Sequence, residues 1–178
     1  MCKMRWFRAG MHAVLLLSIG VAPALGSSSE RPTQRVESDR AFLKRALGVN
    51  ELELRLGRLA TERATTSEVT TMGQKMVQKH TEFGQQLSDL AKQSGISADA
   101  EMSPDEQGTL ARMESLSGPE FDSAFKQTVD DGYVKELAMY RDEVSRAANL
   151  QLRVLAEQRV AALQKSMVGA EQPKAEKQ

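Results

Sequence analysis

Cysteine is almost missing from this chain, and so are most of the side chains on which catalysis usually rests. Of 178 residues one is cysteine, one is tryptophan and two are histidine, and aromatic residues make up only 4%. Cys2, Trp6 and His12 all fall near the N-terminus. A disulfide, a CxxC redox pair and a cysteine nucleophile are therefore excluded from everything downstream. There is no glycine-rich phosphate loop, no GxSxG and no His-Glu-x-x-His, which removes the usual signatures of nucleotide binding, serine hydrolysis and zinc proteolysis. The formal net charge is zero, with no basic excess to attract nucleic acid. No alternating run of Val, Ile or Thr is long enough to argue for a sheet.

The first 26 residues have the three-part layout of a signal peptide. Lys3, Arg5 and Arg8 supply a positive start, and an apolar run from Ala13 to Val21 follows. Two small-residue patterns, Ala22-Pro23-Ala24 and Ala24-Leu25-Gly26, offer cleavage after Ala24 or Gly26. The apolar run falls short of the roughly 20 residues that a spanning helix needs, and no cysteine stands at the cleavage point to carry a lipid. The expectation is a periplasmic or secreted bacterial protein with no stable membrane insertion after cleavage. Loss of Lys3, Arg5 and Arg8 takes the 24 Lys and Arg to 21 against 24 Asp and Glu, a net charge near −3. His80 then becomes the sole histidine. Slight acidity and the loss of Trp6 speak against binding to a lipid surface.

What is present is helix-forming sequence. Residues 27–37 are polar and carry Pro32, which predicts a flexible linker, and residues 168–178 predict a disordered tail. Residues 38–167 are rich in Ala, Leu, Met, Gln, Glu, Lys and Arg and repeat with a helical period. Capping boxes are expected at Thr65-x-x-Glu68, Ser103-x-x-Glu106 and Ser117-x-x-Glu120. Pro104 suits a first helical turn and Gly95 a helix end. These signals predict helices over 39–63, 66–94, 104–115, 119–146 and 149–167, with Gly48 a candidate kink and the join at 147–149 weakly marked. Four long helices and one short connector predict an all-α, four-helix up-and-down, ferritin-like bundle.

Polar residues fall on three of the apolar stripes. Glu53 lies among Phe42, Ala46, Val49, Leu56 and Ala60, and His80 among Val69, Met72, Met76, Phe83, Leu87 and Leu90. Glu136 shares its face with Phe125, Val129, Tyr133 and Tyr140. An isolated buried charge is costly, so such groups are paired, neutralised or near an opening. Glu53, His80 and Glu136 are thus the candidate metal ligands, for iron or manganese in a carboxylate–histidine centre. The set falls short of the usual design, which needs two Glu-x-x-His pairs, because Val77 stands three before His80 and the mature chain has no second histidine. A Glu53–His80 contact that fixes helix register is the preferred reading, with no cofactor. Met72, Met76, Met113 and Met139 are read as adaptable core fillers rather than Cu(I) ligands.

Phe42-Leu43, Glu53-x-x-x-Gly57-x-Leu59-Ala60, Met76-Val77-x-x-His80-Thr81, Leu90-Ala91 before Gly95, and Ser117-Gly118-x-x-Phe121-Asp122 occur in this order. In their order and spacing the chain resembles the bacterial exported family DUF 4142 over roughly residues 40–167. The resemblance implies a ferritin-like bundle. It also implies histidines in the last two long helices, where this chain has Tyr133 and Ser166, and an acid where it has Lys79. A Leu-Pro expected in the last helix is Val160-Ala161 here, so only Glu53 and His80 carry over. The functional expectation is a non-catalytic binding or envelope/stress-related module, with an unknown protein partner and no nucleic acid. The alternative is a metal-binding protein with a degenerate carboxylate–histidine site.

Overall fold

The computed structural model describes residues 32–171; the segment 1–26, expected to be a signal peptide, lies outside them. Five helices follow in order: α1 (Pro32–Arg63), α2 (Ser67–Gln93), α3 (Pro104–Glu114), α4 (Gly118–Arg146) and α5 (Leu150–Glu171). Two expectations are corrected at the ends. α1 begins inside the segment 27–37 expected to be flexible, because Pro32 occupies a position where a missing N–H costs nothing and no breaker follows it. α5 likewise continues past 167 to Glu171, into the segment assigned to the tail.

The cap at Ser103 forms as expected, with the Ser103 side chain and Glu106 bonded to one another's backbone. The other two boxes do not. Thr66, not Thr65, caps α2 by accepting from the Val69 N–H, and the N–H and hydroxyl groups of both threonines donate to Asp122. At α4 the chain enters through Gly118 with φ 64°, and the Ser117 hydroxyl makes no cap bond. Gly95, at φ 67°, ends α2 as expected; its N–H bonds Lys92 and the Ile96 N–H reaches Ala91. α1 runs unbroken through Gly48.

The four long helices form the ferritin-like bundle expected from the sequence, as two antiparallel hairpins, α1–α2 and α4–α5. Within the first, the backbones approach so closely at Gly57 and Gly73 that a Cβ on Gly73 would lie 2.7 Å from the Gly57 carbonyl oxygen. The hairpins grip one another reciprocally. Asp39, near the start of α1, accepts from the Ala148 and Asn149 N–H groups in the α4–α5 turn at 2.7–3.2 Å. Asp122, near the start of α4, accepts from the Thr65 and Thr66 N–H groups in the α1–α2 turn at 2.9–3.3 Å. These contacts make α1 and α4 antiparallel, so α2 and α4 run the same way. The connection between them therefore crosses the length of the bundle, with α3 within it, so the all-α ferritin-like bundle stands while its helix order has one long crossover in place of the simple up-and-down order expected.

The reciprocity reveals an internal repeat. Asp39 and Asp122, Phe42 and Phe125, Glu53 and Glu136, Val69 and Leu152, and the capping residues Thr66 and Asn149 are all separated by the same number of residues. Each half buries its aspartate, phenylalanine and glutamate at matching positions, as a self-complementary two-fold contact requires. One apolar cluster joins Phe42, Leu87, Tyr140 and Leu152; the other joins Leu56, Met113, Phe121 and Phe125, and brings α3 into the core.

Asp39→Ala removes two capping bonds and is expected to cost about 1–2 kcal/mol in denaturant unfolding. Asp122 adds a pH signature. Burial pushes its carboxyl up, but the bonds from Thr65 and Thr66 outweigh this and hold it below its ordinary value. A carboxyl lower in the folded than in the unfolded state stabilises fully above the unfolded value, near pH 4, and loses that contribution as pH falls. The Tm gap between the wild type and Asp122→Asn should accordingly be constant above about pH 4 and shrink below it.

Candidate functional site

All three candidate residues converge at mid-bundle, and a fourth that periodicity did not single out joins them. Glu53 from α1, His80 from α2 and Glu136 from α4 are each buried, and so is Arg159 from α5. The guanidinium lies between the two carboxylates. Its Nε is 2.7 Å from Glu136 Oε1 and its Nη2 2.8 Å from Glu136 Oε2, a two-pronged contact. The same Nη2 is 3.3 Å from Glu53 Oε2. Phe83 closes one side, its ring centroid 4.7 Å from the guanidinium carbon.

The expected Glu53–His80 contact exists, with His80 Nδ1 3.1 Å from Glu53 Oε2. It is shared with Asn50, whose Oδ1 is also 3.1 Å from Nδ1. Asn50 Nδ2 donates to the His80 carbonyl at 3.0 Å, so its Oδ1 is left to accept, and the imidazole proton sits on Nδ1. Asn50 fits because Gly84 faces it: a Cβ there would lie 2.6 Å from Asn50 Nδ2. Every long helix contributes to one continuous polar chain, Asn50–His80–Glu53–Glu136–Arg159.

The protonation pattern follows from burial. Desolvation first, then the neighbouring Glu136, push the Glu53 carboxyl well above the usual range against the opposing pull of Arg159. Glu53 is therefore the neutral member and donates to Glu136, to which its side chain is hydrogen-bonded. Desolvation, helped by Arg159 and Lys79, lowers His80 to about 3, so the imidazole is uncharged. Burial works against the Arg159 charge, but Glu136 and Glu53 more than restore it. Tyr133, whose hydroxyl burial pushes up to about 12, stays protonated beside the cluster. The centre holds one ion pair, Arg159 with Glu136, and neutral neighbours.

Two cavities reach the polar chain from opposite sides. One of about 290 Å³ is lined by Lys79, His80, Tyr133, Arg159 and Ser166. The other, about 370 Å³ and beside α3, is lined by Glu53, Leu56, Met76, Glu106 and Glu136. Tyr140 is buried between the rings of Phe42 and Phe83, and its hydroxyl has no hydrogen-bond partner among the described residues. Of the four methionines, Met76 and Met113 are buried in the second apolar cluster; Met72 and Met139 pack against apolar clusters.

The family model for a domain of unknown function, DUF4142, matches residues 24–172, most of the chain and every helix described. The chain belongs to the DUF4142 family. No curated protein matches it. Among solved structures it is similar to a DUF305 fragment from Deinococcus radiodurans, at 16% identity and a TM-score of 0.64, covering 74% of this chain and 93% of that one. At that identity the likeness speaks for the helical fold alone.

An iron or manganese centre of the ferritin-like kind does not fit these DUF4142 residues. The space between Glu53 and Glu136 is filled by a guanidinium bonded to both, and Nδ1 of His80, the one histidine among the described residues, faces Asn50 and Glu53. No group of three or more His, Cys, Asp or Glu among the described residues is arranged to hold a metal ion.

Arg159→Ala leaves Glu136 buried without its partner and should cost about 3–5 kcal/mol, read by urea unfolding. Glu53→Gln replaces a neutral carboxyl with its isostere and should cost less than about 1 kcal/mol. His80 gives a separate signature. Its folded value of about 3 lies below an unfolded value near 6.5, so the unfolded chain binds more protons between them. Stability through His80 should therefore fall as pH drops from about 6.5 towards 3, and His80→Asn should flatten that limb of the Tm profile. Glu53 acts in the opposite sense, its raised carboxyl stabilising at low pH and losing that contribution as pH rises through its folded value.

Proposed function

We propose that the chain is an exported, non-catalytic helical-bundle module of the bacterial envelope, and that it acts through its outer surface on a protein partner. The observation that carries the reading is the internal engagement of its polar centre. Catalysis by acid, base or nucleophile needs a group free to reach a substrate. Here His80 Nδ1, both glutamates and Arg159 are bonded to one another. The mature sequence supplies no cysteine to replace them. Export is supported by the signal-like first 26 residues, and no helix among the described residues is long and apolar enough to cross a membrane.

Expression in a bacterium followed by osmotic shock tests the location. The expected product is a shock-released protein whose mass corresponds to cleavage after Ala24 or Gly26. Retention as the full-length chain in the membrane fraction overturns export. Assay of the released protein for Fe²⁺ oxidation and for ester and peptide hydrolysis should show no turnover above buffer. Turnover that disappears in Glu53→Ala would reverse the non-catalytic reading.

A further inference from the structure

We propose that Arg159 is a built-in replacement for a divalent cation: the bundle keeps two facing carboxylates and a histidine, and closes the cation position with its own side chain. The inference is independent of where the protein resides and of what its surface binds.

The repeat supplies the first part of the argument. Glu53 and Glu136 occupy equivalent positions in the two hairpins and both approach the same Arg159 nitrogen, at 3.3 and 2.8 Å. A pair of buried carboxylates so placed demands positive charge, from a proton, a metal ion or a cationic side chain. Arg159 meets that demand with two short bonds to Glu136 and a longer one to Glu53. Its planar fork suits one carboxylate better than two, and the longer contact to Glu53 shows which of the two it serves less well.

The second part comes from the place where the halves differ. The position in the first hairpin equivalent to Arg159 is Met76, which is buried like Arg159 itself. The fold thus accommodates an unbranched apolar side chain there, and nothing in the packing of a hairpin calls for a cation. The arginine answers the carboxylates. The third part is access: the cavity beside α3 reaches Glu53 and Glu136 from outside, so an ion has a path to them. Arg159→Met, the substitution written in the other half of the molecule, leaves Glu53 and Glu136 around an uncompensated space, with His80 bonded to Glu53 behind it. Carboxylate oxygens so placed suit Mn²⁺ and are also accepted by Zn²⁺.

The test compares wild type with Arg159→Met, both purified, stripped with chelator and equilibrated with Mn²⁺ or Zn²⁺. Bound metal is read by elemental mass spectrometry after dialysis and folding by circular dichroism and thermal melting. Wild type should bind substoichiometrically with no change in Tm. Arg159→Met should take up about one ion per chain and gain Tm on doing so. The triple variant Arg159→Met/Glu53→Gln/Glu136→Gln should lose both effects. If Arg159→Met is unfolded after stripping, addition of Mn²⁺ or Zn²⁺ should restore its helical spectrum, because binding then drives folding. Stoichiometric metal on wild type that is lost in Glu53→Gln overturns the proposal. So does an Arg159→Met chain that, folded or unfolded, responds to neither ion.

Discussion

A guanidinium held dry at the middle of a helical bundle sets the terms for the rest of this molecule. Little of it is left to water, so the protein places partners around it, and they come from three of the four long helices. Glu136 on α4 takes the charge directly, and Glu53 on α1 sits close enough to share it. Phe83 on α2 presents its ring. The second carboxylate would double the charge, so it holds a proton. The imidazole next to it cannot also be charged, and it is not. Each protonation state follows from its neighbour, and the whole is consistent only in one register of the four helices. A buried ion pair is a poor source of net stability, since desolvation consumes most of what attraction returns. As a way of specifying which residues face one another it is strong, because a one-turn slip strands a charge in the core.

The fold was legible because local signals agreed with one another. Pro104, Ser103 and Glu106 mark one helix start, and Gly95 marks one helix end. The apolar periods of 42–60 and 69–90 mark the faces that are in fact buried. The failures were local too. Thr65 and Thr66 both have the residue type of a cap and both bond Asp122 at long range, and the helix starts one residue later than the Thr65 box implies. No pattern near Thr65 shows that. The candidate site was half legible. Glu53, His80 and Glu136 stood out as charges on dry faces. Arg159 did not, because arginine on a helix ordinarily lies along the surface with its head in water. Asking what would neutralise two inward glutamates, and looking for a basic residue on the last helix, was the signal that could have found it. The repeat was hidden for a different reason. Only a few contact-making positions preserve it, and the closest-packed positions have diverged, as Gly57 against Tyr140 illustrates.

Membership of DUF4142 and likeness to a DUF305 fragment place the architecture in a wider group of helical domains. In such folds the chemistry resides in the few side chains at the centre, and the same backbone can carry a metal, an ion pair or an apolar core. This chain shows how short the distance between those states is. In this chain the centre is an ion pair, and Arg159 on α5 supplies its cation.

The exchange of caps between hairpins has a consequence for how the chain reaches this state. The N–H groups of Thr65 and Thr66 find their acceptor only on α4, and those of Ala148 and Asn149 only on α1. A hairpin that formed alone would keep the side-chain cap of its second helix but leave the N–H groups of its bend without their carboxylate. Neither half is a folding unit. The connection that carries α3 must span the bundle before either bend is secured, so the molecule closes in one cooperative step, each half serving as the template on which the other is finished.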